Sequence, residues 1–542
     1  MEQQKKTYIG ITFGPISRVA DMAKSTKAVW ATSYIFSYIA KNIVAPFCFE
    51  KDRKFLLPQW LNPDPNLKQE DKEKEKVVTK AKLEQKIGVG LFPDRYIFEA
   101  CEGDFEALER KKDEVFEELA NKICSKDEGL GVNDKEIEFV KNEIKNTFKV
   151  FFIEKELEGC DNEIIDKFTS NLEVLDLEDL FCEWQEGQKS GYLKRLIELP
   201  DSFLIRDAFG DEWNTKKNRL FETILEYSAQ ELNLSKYWKD YNAIKKEEKE
   251  RKRDYKKSFE EYLEPYLEPY HKYIAVVKAD GDYMGDTLSD MAKNNIPVYA
   301  LDSNLLNYNL EVGNIIRDYG GTPIFLGGDD LLFLAPIVGK GDMDNSSMSI
   351  FGLLDKINAK FIKHMSNIGL GSDLKLTLSF GMAITYYKFP LTECRKLAED
   401  LLFHAKESGK NRIVWQLRKH SGQLVEGVLD KNKSDRYAKS VQFINTFYTK
   451  ARERDEEKKE KKLYSSFVYW LRSNEEIIAY ALGDSSGNKL KNYFTNSFDE
   501  QVHLTENFQN FTNKVFELLL DGVNIKDIYS MLRFVLFVKN GE

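Results

Sequence analysis

Pro323-Ile-Phe-Leu-Gly-Gly-Asp-Asp-Leu-Leu-Phe-Leu-Ala335 sets two apolar runs around a glycine-rich turn. That pattern is a β-hairpin, with strands at 323–326 and 331–335. Upstream, residues 273–279 form an apolar strand that runs straight into Asp280-Gly281-Asp282. Helical signals cover about 287–318. Downstream, 347–365 is predicted as an amphipathic helix, with Ile350, Leu353, Leu354, Ile357 and Phe361 on one face. A long strand is expected at 374–386. A helix follows at 391–406, striped by Leu391, Cys394, Leu397, Leu401 and Ala405, and a last short strand at 412–415. The order is β-α-β-β-α-β with an added strand, the ferredoxin-like plan on which nucleotide polymerase palms are built.

This plan places the end of the 273–279 strand beside the hairpin, so Asp280 lies next to Asp329 and Asp330. Phosphoryl transfer asks a protein for positioning and charge neutralisation. Two Mg²⁺ or Mn²⁺ ions held by carboxylates and phosphates can activate a hydroxyl and stabilise leaving pyrophosphate. Asp280, Asp329 and Asp330 are the candidate metal ligands, and Asp329 and Asp330 the candidate catalytic pair. Gly327 and Gly328 lack Cβ atoms, which lets backbone approach a triphosphate. Gly281 and Asp282 extend the candidate nucleotide site, Asp282 because residues i and i+2 of a strand share a face. Lys410 and Arg412 follow the last helix, where they can reach phosphates or simply cap a solvated helix end. Ser379 is a candidate for base binding, with plain strand packing the competing reading. Gly-Gly-Asp-Asp alone would also suit an ordinary turn. Asp280 at a strand end, inside this element order, favours chemistry.

Working outward, 7–13 reads as a strand ended by Gly14-Pro15, followed by a helix with Ile16, Val19, Ala23, Ala31, Tyr34 and Ile35 on its apolar face. Residues 67–86 are dense in Lys and Glu and read as an exposed loop or solvated helix. From 104 to 267 the chain is mostly helical. The charged runs 245–257 and 450–462 are candidate RNA contacts, although solvated faces explain them as well. In the C-terminal region Tyr464, Phe467, Tyr469, Trp470 and Tyr480 are expected to build its own core. These readings divide the chain into a degenerate palm-like domain at 1–110, a helical domain at 111–267, a palm at 268–418 and a helical C-terminal domain at 419–542.

Bulk composition is consistent with this division. The 542 residues suit three or four domains, with 42% hydrophobic residues to fill their cores. A net charge of −10 argues against a protein that coats nucleic acid non-specifically. The six cysteines lack C-x-x-C spacing, so reduced thiols in a cytoplasmic protein are expected and no zinc site is. The apolar stretches 33–49 and 528–538 are interrupted by charge, so no membrane span is expected.

Several blocks resemble the large palm-domain subunit of type III CRISPR RNA-guided complexes, in its Cmr-type, or III-B, branch. They are Ala275-Val-Val-Lys-Ala-Asp-Gly-Asp-Tyr-Met-Gly285, Gly320-Gly-Thr-Pro-Ile-Phe-Leu-Gly-Gly-Asp-Asp-Leu-Leu332, Ser379-Phe-Gly-Met-Ala-Ile384, Lys388-Phe-Pro-Leu391 and Ala405-Lys-Glu-Ser-Gly-Lys-Asn-Arg412. Gly14 to Tyr34 resembles the opening motif of that family, and Gly90-Leu-Phe-Pro-Asp-Arg95 a later piece of the same domain. The resemblance implies an α+β chain with two ferredoxin-like, cyclase- or polymerase-like palm domains, of which only the second carries the Gly-Gly-Asp-Asp turn. It implies conversion of ATP to cyclic oligoadenylate when target RNA pairs with the guide, or joining of AMP to S-adenosylmethionine. It further implies other Cmr subunits as partners, and mostly indirect contact with guide and target RNA. Many relatives carry a nuclease domain with adjacent His-Asp ligands. The first histidine here is His271 and none is followed by Asp, so that activity is not expected. A stand-alone cyclase and a catalytically silent scaffold are the alternatives. The large helical regions count against the first, and the complete carboxylate set against the second.

Overall fold

The fold is taken from a computed structural model, which describes residues 5–14, 16–21, 23–51, 53–62, 83–125, 137–178, 203–210, 234–251, 257–341, 347–371, 375–449, 457–484, 487–497 and 506–540. Most of the charged run 67–86, residues 450–456 of the second charged run, and Cys182 lie outside them.

Strands β1 (Lys6–Gly14), β2 (Phe55–Leu57), β3 (Arg95–Glu99) and β4 (Lys149–Leu157) form one antiparallel sheet in the order β2-β3-β1-β4. The helix Thr26–Ala45 follows β1, and the helices Asp104–Cys124 and Ile137–Thr147 lie between β3 and β4. That is the ferredoxin-like order. Ile9, Ile11 and Phe13 of β1 pack with the helix Thr26–Ala45, while Tyr8 on the other face packs with Phe168 and Leu172 of the helix Asp161–Glu178. The first domain therefore does not end at 110. The nine-residue β4, read from sequence as part of a helical domain, pairs with β1 along its whole length. Its run Glu154-Lys155-Glu156 breaks the alternation expected of a strand, and Phe152 and Ile153 pack on opposite sides of the sheet, so only its pairing at the sheet edge marks it as a strand.

The helix Leu83–Ile87 corrects the reading of 67–86 as solvated throughout. Glu84 is fully buried and accepts from the Ser37 hydroxyl (2.5 Å), the Leu91 amide (2.9 Å) and Lys41 Nζ (3.0 Å). A buried carboxylate is tolerable only with such partners. Sequence density of charge could not show that two of these partners, Ser37 and Lys41, wait on the helix Thr26–Ala45.

The second sheet contains β5 (Tyr273–Asp282), β6 (Thr322–Gly327), β7 (Asp330–Pro336), β10 (Thr377–Tyr386), β11 (Arg412–Arg418) and β12 (Leu424–Asp430), in the order β12-β11-β10-β5-β7-β6. Four of its strands, β10-β5-β7-β6, repeat the order of the first sheet. A small hairpin of β8 (Val338–Lys340) and β9 (Ser347–Ser349) stands apart. Thus the helix expected from 347 begins at Ile350, capped by the Ser349 hydroxyl. Strand β12 pairs with β11, so this domain runs past 418 to at least Asp430.

Side chains of β5 alternate between two cores. Ala275, Val277 and Ala279 pack with the helices Val298–Tyr319 and Ile350–Met365. Ile274 and Val276 pack with the helix Leu391–Glu407 and with the first domain. Each fully buried aliphatic side chain contributes roughly 1.5–3 kcal/mol. Lys278 and Asp280 continue the second row and emerge beyond the core. The two domains also meet where the Gln59 amide donates to Asp302 on the helix Val298–Tyr319, at 2.6 Å.

The C-terminal helices share a core with the second sheet, and Phe534 of the helix Ile525–Asn540 packs on Phe351 and Trp415. Tyr464 and Phe467 are buried as expected, but Tyr469 and Tyr480 are 59% and 75% exposed, so the expectation of core fails for those two. Residues 245–250 of the helix Leu234–Glu250 are largely exposed. Among the described residues no helix is long and apolar enough to cross a membrane.

Candidate active site

Gly327 pairs with Asp330, leaving Gly328-Asp329 as a two-residue loop. Gly328 has φ +60°, and Asp329 is not among the residues with positive φ. Positive φ at the first central position alone is the type II′ arrangement, which demands glycine there. Asn309 Nδ2 donates to the Gly328 carbonyl at 2.9 Å and pins the turn to the helix Val298–Tyr319. At Gly327 a Cβ would collide with the Phe325 ring, so both glycines have local reasons beyond any ligand.

The register between β5 and β7 pairs Ala279 with Leu331. Continuing it by one residue sets Asp280 opposite Asp330, and by two sets Gly281 opposite Asp329. A Cβ on Gly281 would stand 2.5 Å from Asp329 Oδ2, so the Asp329 carboxylate lies directly over the glycine backbone. Two carboxylates opposite one another repel. Burial, reinforced by Asp330, pushes Asp329 up to about 6. Burial likewise pushes Asp330 up to about 6, against the pull of Lys278, which itself pairs with Glu399 at 2.8 Å.

Asp282 does not join this cluster as a ligand. It is 1% exposed and accepts from Ser379 Oγ (2.8 and 2.9 Å), Thr377 Oγ1 (2.8 Å) and the Asn411 amide (2.9 Å). Ser379 is fully buried in the same contact. These two proposed nucleotide contacts are spent on each other, and they tie β5, β10 and the start of β11 together.

Lys406, which sequence reading passed over, reaches the Asp280 carboxylate and the Gly281 carbonyl, the latter at 2.9 Å. Burial, helped by the Lys410 ammonium, lowers Lys406 to about 8. Lys410 lies 4.0 Å from the centroid of the Tyr283 ring, so it faces the same region. Arg412 turns instead to Asp430 on β12, at 3.5 Å. A signal for Lys406 did exist, since it lies in the last turn of the helix Leu391–Glu407, just before the basic segment that carries Lys410. The contributions of Asn309 and the Asn411 amide had none.

Among the described residues no three acidic, histidine or cysteine side chains already converge as a cage for a metal ion. The donor set still fits Mg²⁺ or Mn²⁺. All three candidates offer hard oxygens, and Mg²⁺ is commonly held by one or two carboxylates together with substrate phosphates. The Lys406 ammonium on Asp280 shows that this position takes a cation.

Two family models match the chain. The one described as the second palm domain of Cas10/Cmr2 covers residues 273–414, and the N-terminal domain of CRISPR-associated protein Cmr2 covers 8–149. The Cmr2 subunit of the CRISPR system Cmr from Pyrococcus furiosus is 27% identical over an alignment of 281 residues, which covers 46% of this chain and 29% of that protein. The chain thus matches less than a third of this relative. Among solved structures, the type III-B Cmr-beta complex in its apo state aligns with TM-score 0.48 and 12% identity, over 78% of this chain and 70% of the other. A Csm1–Csm4 cassette in complex with AMPPNP aligns with TM-score 0.49 and 12% identity, over 99% and 70%.

Proposed function

The chain belongs to the Cas10/Cmr2 family, in its Cmr-type branch, and from that premise we propose that its second palm is a metal-dependent nucleotidyltransferase. The reaction makes an adenylate messenger from ATP, either a cyclic oligoadenylate or AMP joined to S-adenosylmethionine. The setting is a type III complex with other Cmr subunits, guide RNA and target RNA, whose pairing switches the palm on. One observation carries the reading: Asp329 lies over Gly281 while Asp280 and Asp330 oppose each other across β5 and β7.

Mg²⁺ or Mn²⁺, when bound, supplies activation of the attacking hydroxyl and neutralisation of the leaving pyrophosphate. The residues of this chain supply the rest. Asp280, Asp329 and Asp330 offer the oxygens that would hold two ions, and a bound cation would favour the charged form of the last two, which burial disfavours. Gly281 leaves room for the Asp329 carboxylate. Asn309 fixes the turn. Lys406 and Lys410 form the cationic side of the site, where they can bind phosphate oxygens. Asp282 and Ser379 keep the strand ends in place.

The test is product formation by the complex assembled with guide RNA, given ATP, S-adenosylmethionine and either metal, with and without matching target RNA. Target-dependent adenylates, seen by mass spectrometry and lost in Asp329→Ala with Asp330→Ala, are expected, and their masses identify the product. A well-assembled complex that makes none under either metal would overturn the enzymatic reading in favour of a scaffold.

A further inference from the structure

At the end of the second sheet away from the carboxylates lies a cavity of about 510 Å³. It is formed by the loop after β10 and the hairpin between β11 and β12. Tyr386, Lys388, Phe389, Arg418, Lys419 and His420 line it, and no carboxylate does. Along β10, Ser379 to Tyr386 spans roughly 23 Å at ~3.3 Å per residue, so this is not part of the candidate active site.

Its chemistry is specific. In a chain of net charge −10, three permanent cations line one cavity without an acidic neighbour in the lining. The Arg418 guanidinium stacks over the Phe389 ring at 5.3 Å. Its Nε is buried and, among the described residues, has no hydrogen-bond partner. A buried donor left unmade is costly, and an incoming acceptor would relieve it. The His420 ring lies 4.6 Å from that of Tyr386 at 31°, and His420 and Lys388 are exposed at the mouth. Fixed cations beside aromatic faces are what a phosphate followed by a planar base requires. The volume falls within the ~300–1,000 Å³ of small-ligand sites.

We propose that this cavity binds a nucleotide unit, with the phosphate on Arg418 and Lys388 and the base against the aromatic rings, independently of the Gly-Gly-Asp-Asp turn. A free nucleotide and a nucleotide within single-stranded RNA share this chemistry. An acidic peptide would engage the cations but not the stacking faces.

The test uses the purified full chain and a fluorescein-labelled ten-nucleotide RNA of mixed sequence, read by anisotropy. Unlabelled RNA, AMP and polyglutamate serve as competitors. Lys388→Glu lies on the surface and leaves the fold intact, and Arg418→Gln keeps side-chain bulk. Melting curves check both. Each variant is expected to weaken RNA binding about tenfold, whereas Asp329→Ala with Asp330→Ala leaves it unchanged. Displacement by AMP identifies a free nucleotide as sufficient, and displacement by RNA alone identifies the strand. Either supports the site. Folded variants that bind RNA within twofold of the native chain overturn it, as does polyglutamate competing as well as RNA of equal charge.

Discussion

The two sheets of this protein share one plan and differ where chemistry would happen. In the first, β1 ends at Gly14, and β2 and β3 are separated by residues 58–94. In the second, β5 ends in Asp280-Gly281-Asp282, and β6 and β7 are joined by a two-residue turn bearing Asp329. Strand order alone therefore says nothing about activity. The proposed function rests on a strand end and a turn that one sheet has and the other lacks.

The largest expected effect contrasts the two strand ends. Gly281→Ala puts a methyl group 2.5 Å from Asp329 Oδ2 and should displace that carboxylate. Adenylate formation should fall roughly 10²–10³-fold, as for loss of one transition-state contact, with little change in melting temperature. Gly14→Ala meets nothing within 4 Å and should leave both rate and stability near native. Equal rates for the two variants would break the comparison.

A second contrast concerns sheet packing. A Cβ on Gly381 of β10 would strike the Ala398 carbonyl, backbone that cannot step aside, whereas one on Gly10 of β1 meets the Phe168 ring, which can turn. Gly381→Ala should cost roughly 2–3 kcal/mol and Gly10→Ala about 1 kcal/mol in urea unfolding. The reverse ranking would show that β10 tolerates movement of the helix Leu391–Glu407.

The smallest effect probes the seam between the sheets. Burial raises Asp302 to about 7, partly offset by the Gln59 amide. Below pH 4 it is protonated whether folded or not. Between pH 4 and 7 the unfolded chain releases that proton while the folded one keeps it, so stability falls as pH rises through this window. Asp302→Asn has no proton to lose and should be roughly 1–2 kcal/mol more stable than the native chain at pH 8, a figure discounted for partial solvent access. Parallel stability curves at pH 5 and 8 would remove Asp302 from the seam.

Much of the second palm was legible because its signals are local. Apolar runs, a Gly-Gly-Asp-Asp turn and two striped helices gave β5, β6, β7 and the helix Leu391–Glu407 to within a few residues. Edge strands were harder. Lys149–Leu157 carries the run Glu154-Lys155-Glu156 and Leu424–Asp430 carries charge on its more exposed face, and only pairing with β1 and β11 makes them strands. Among candidate site residues, the turn and Asp280 came from pattern, but their opposition across β5 and β7 is a matter of register. Asp282 and Ser379 looked like ligands because nothing in the chain order reveals that Thr377, Ser379 and the Asn411 amide already occupy Asp282. Glu84 looked solvated for the same reason.

By itself the sequence determined which residue types stand at strand ends and turns, since backbone preference and side-chain period act over a few neighbours. The tertiary structure alone decided which charges are answered: Asp280 by Lys406, Asp282 by β10, Glu84 by the helix Thr26–Ala45. A carboxylate's protonation and availability depend on whatever surrounds it within a few ångströms, and those surroundings come from residues far away in the chain, 129 positions for Asp282 and Asn411 and 243 for Asp302 and Gln59.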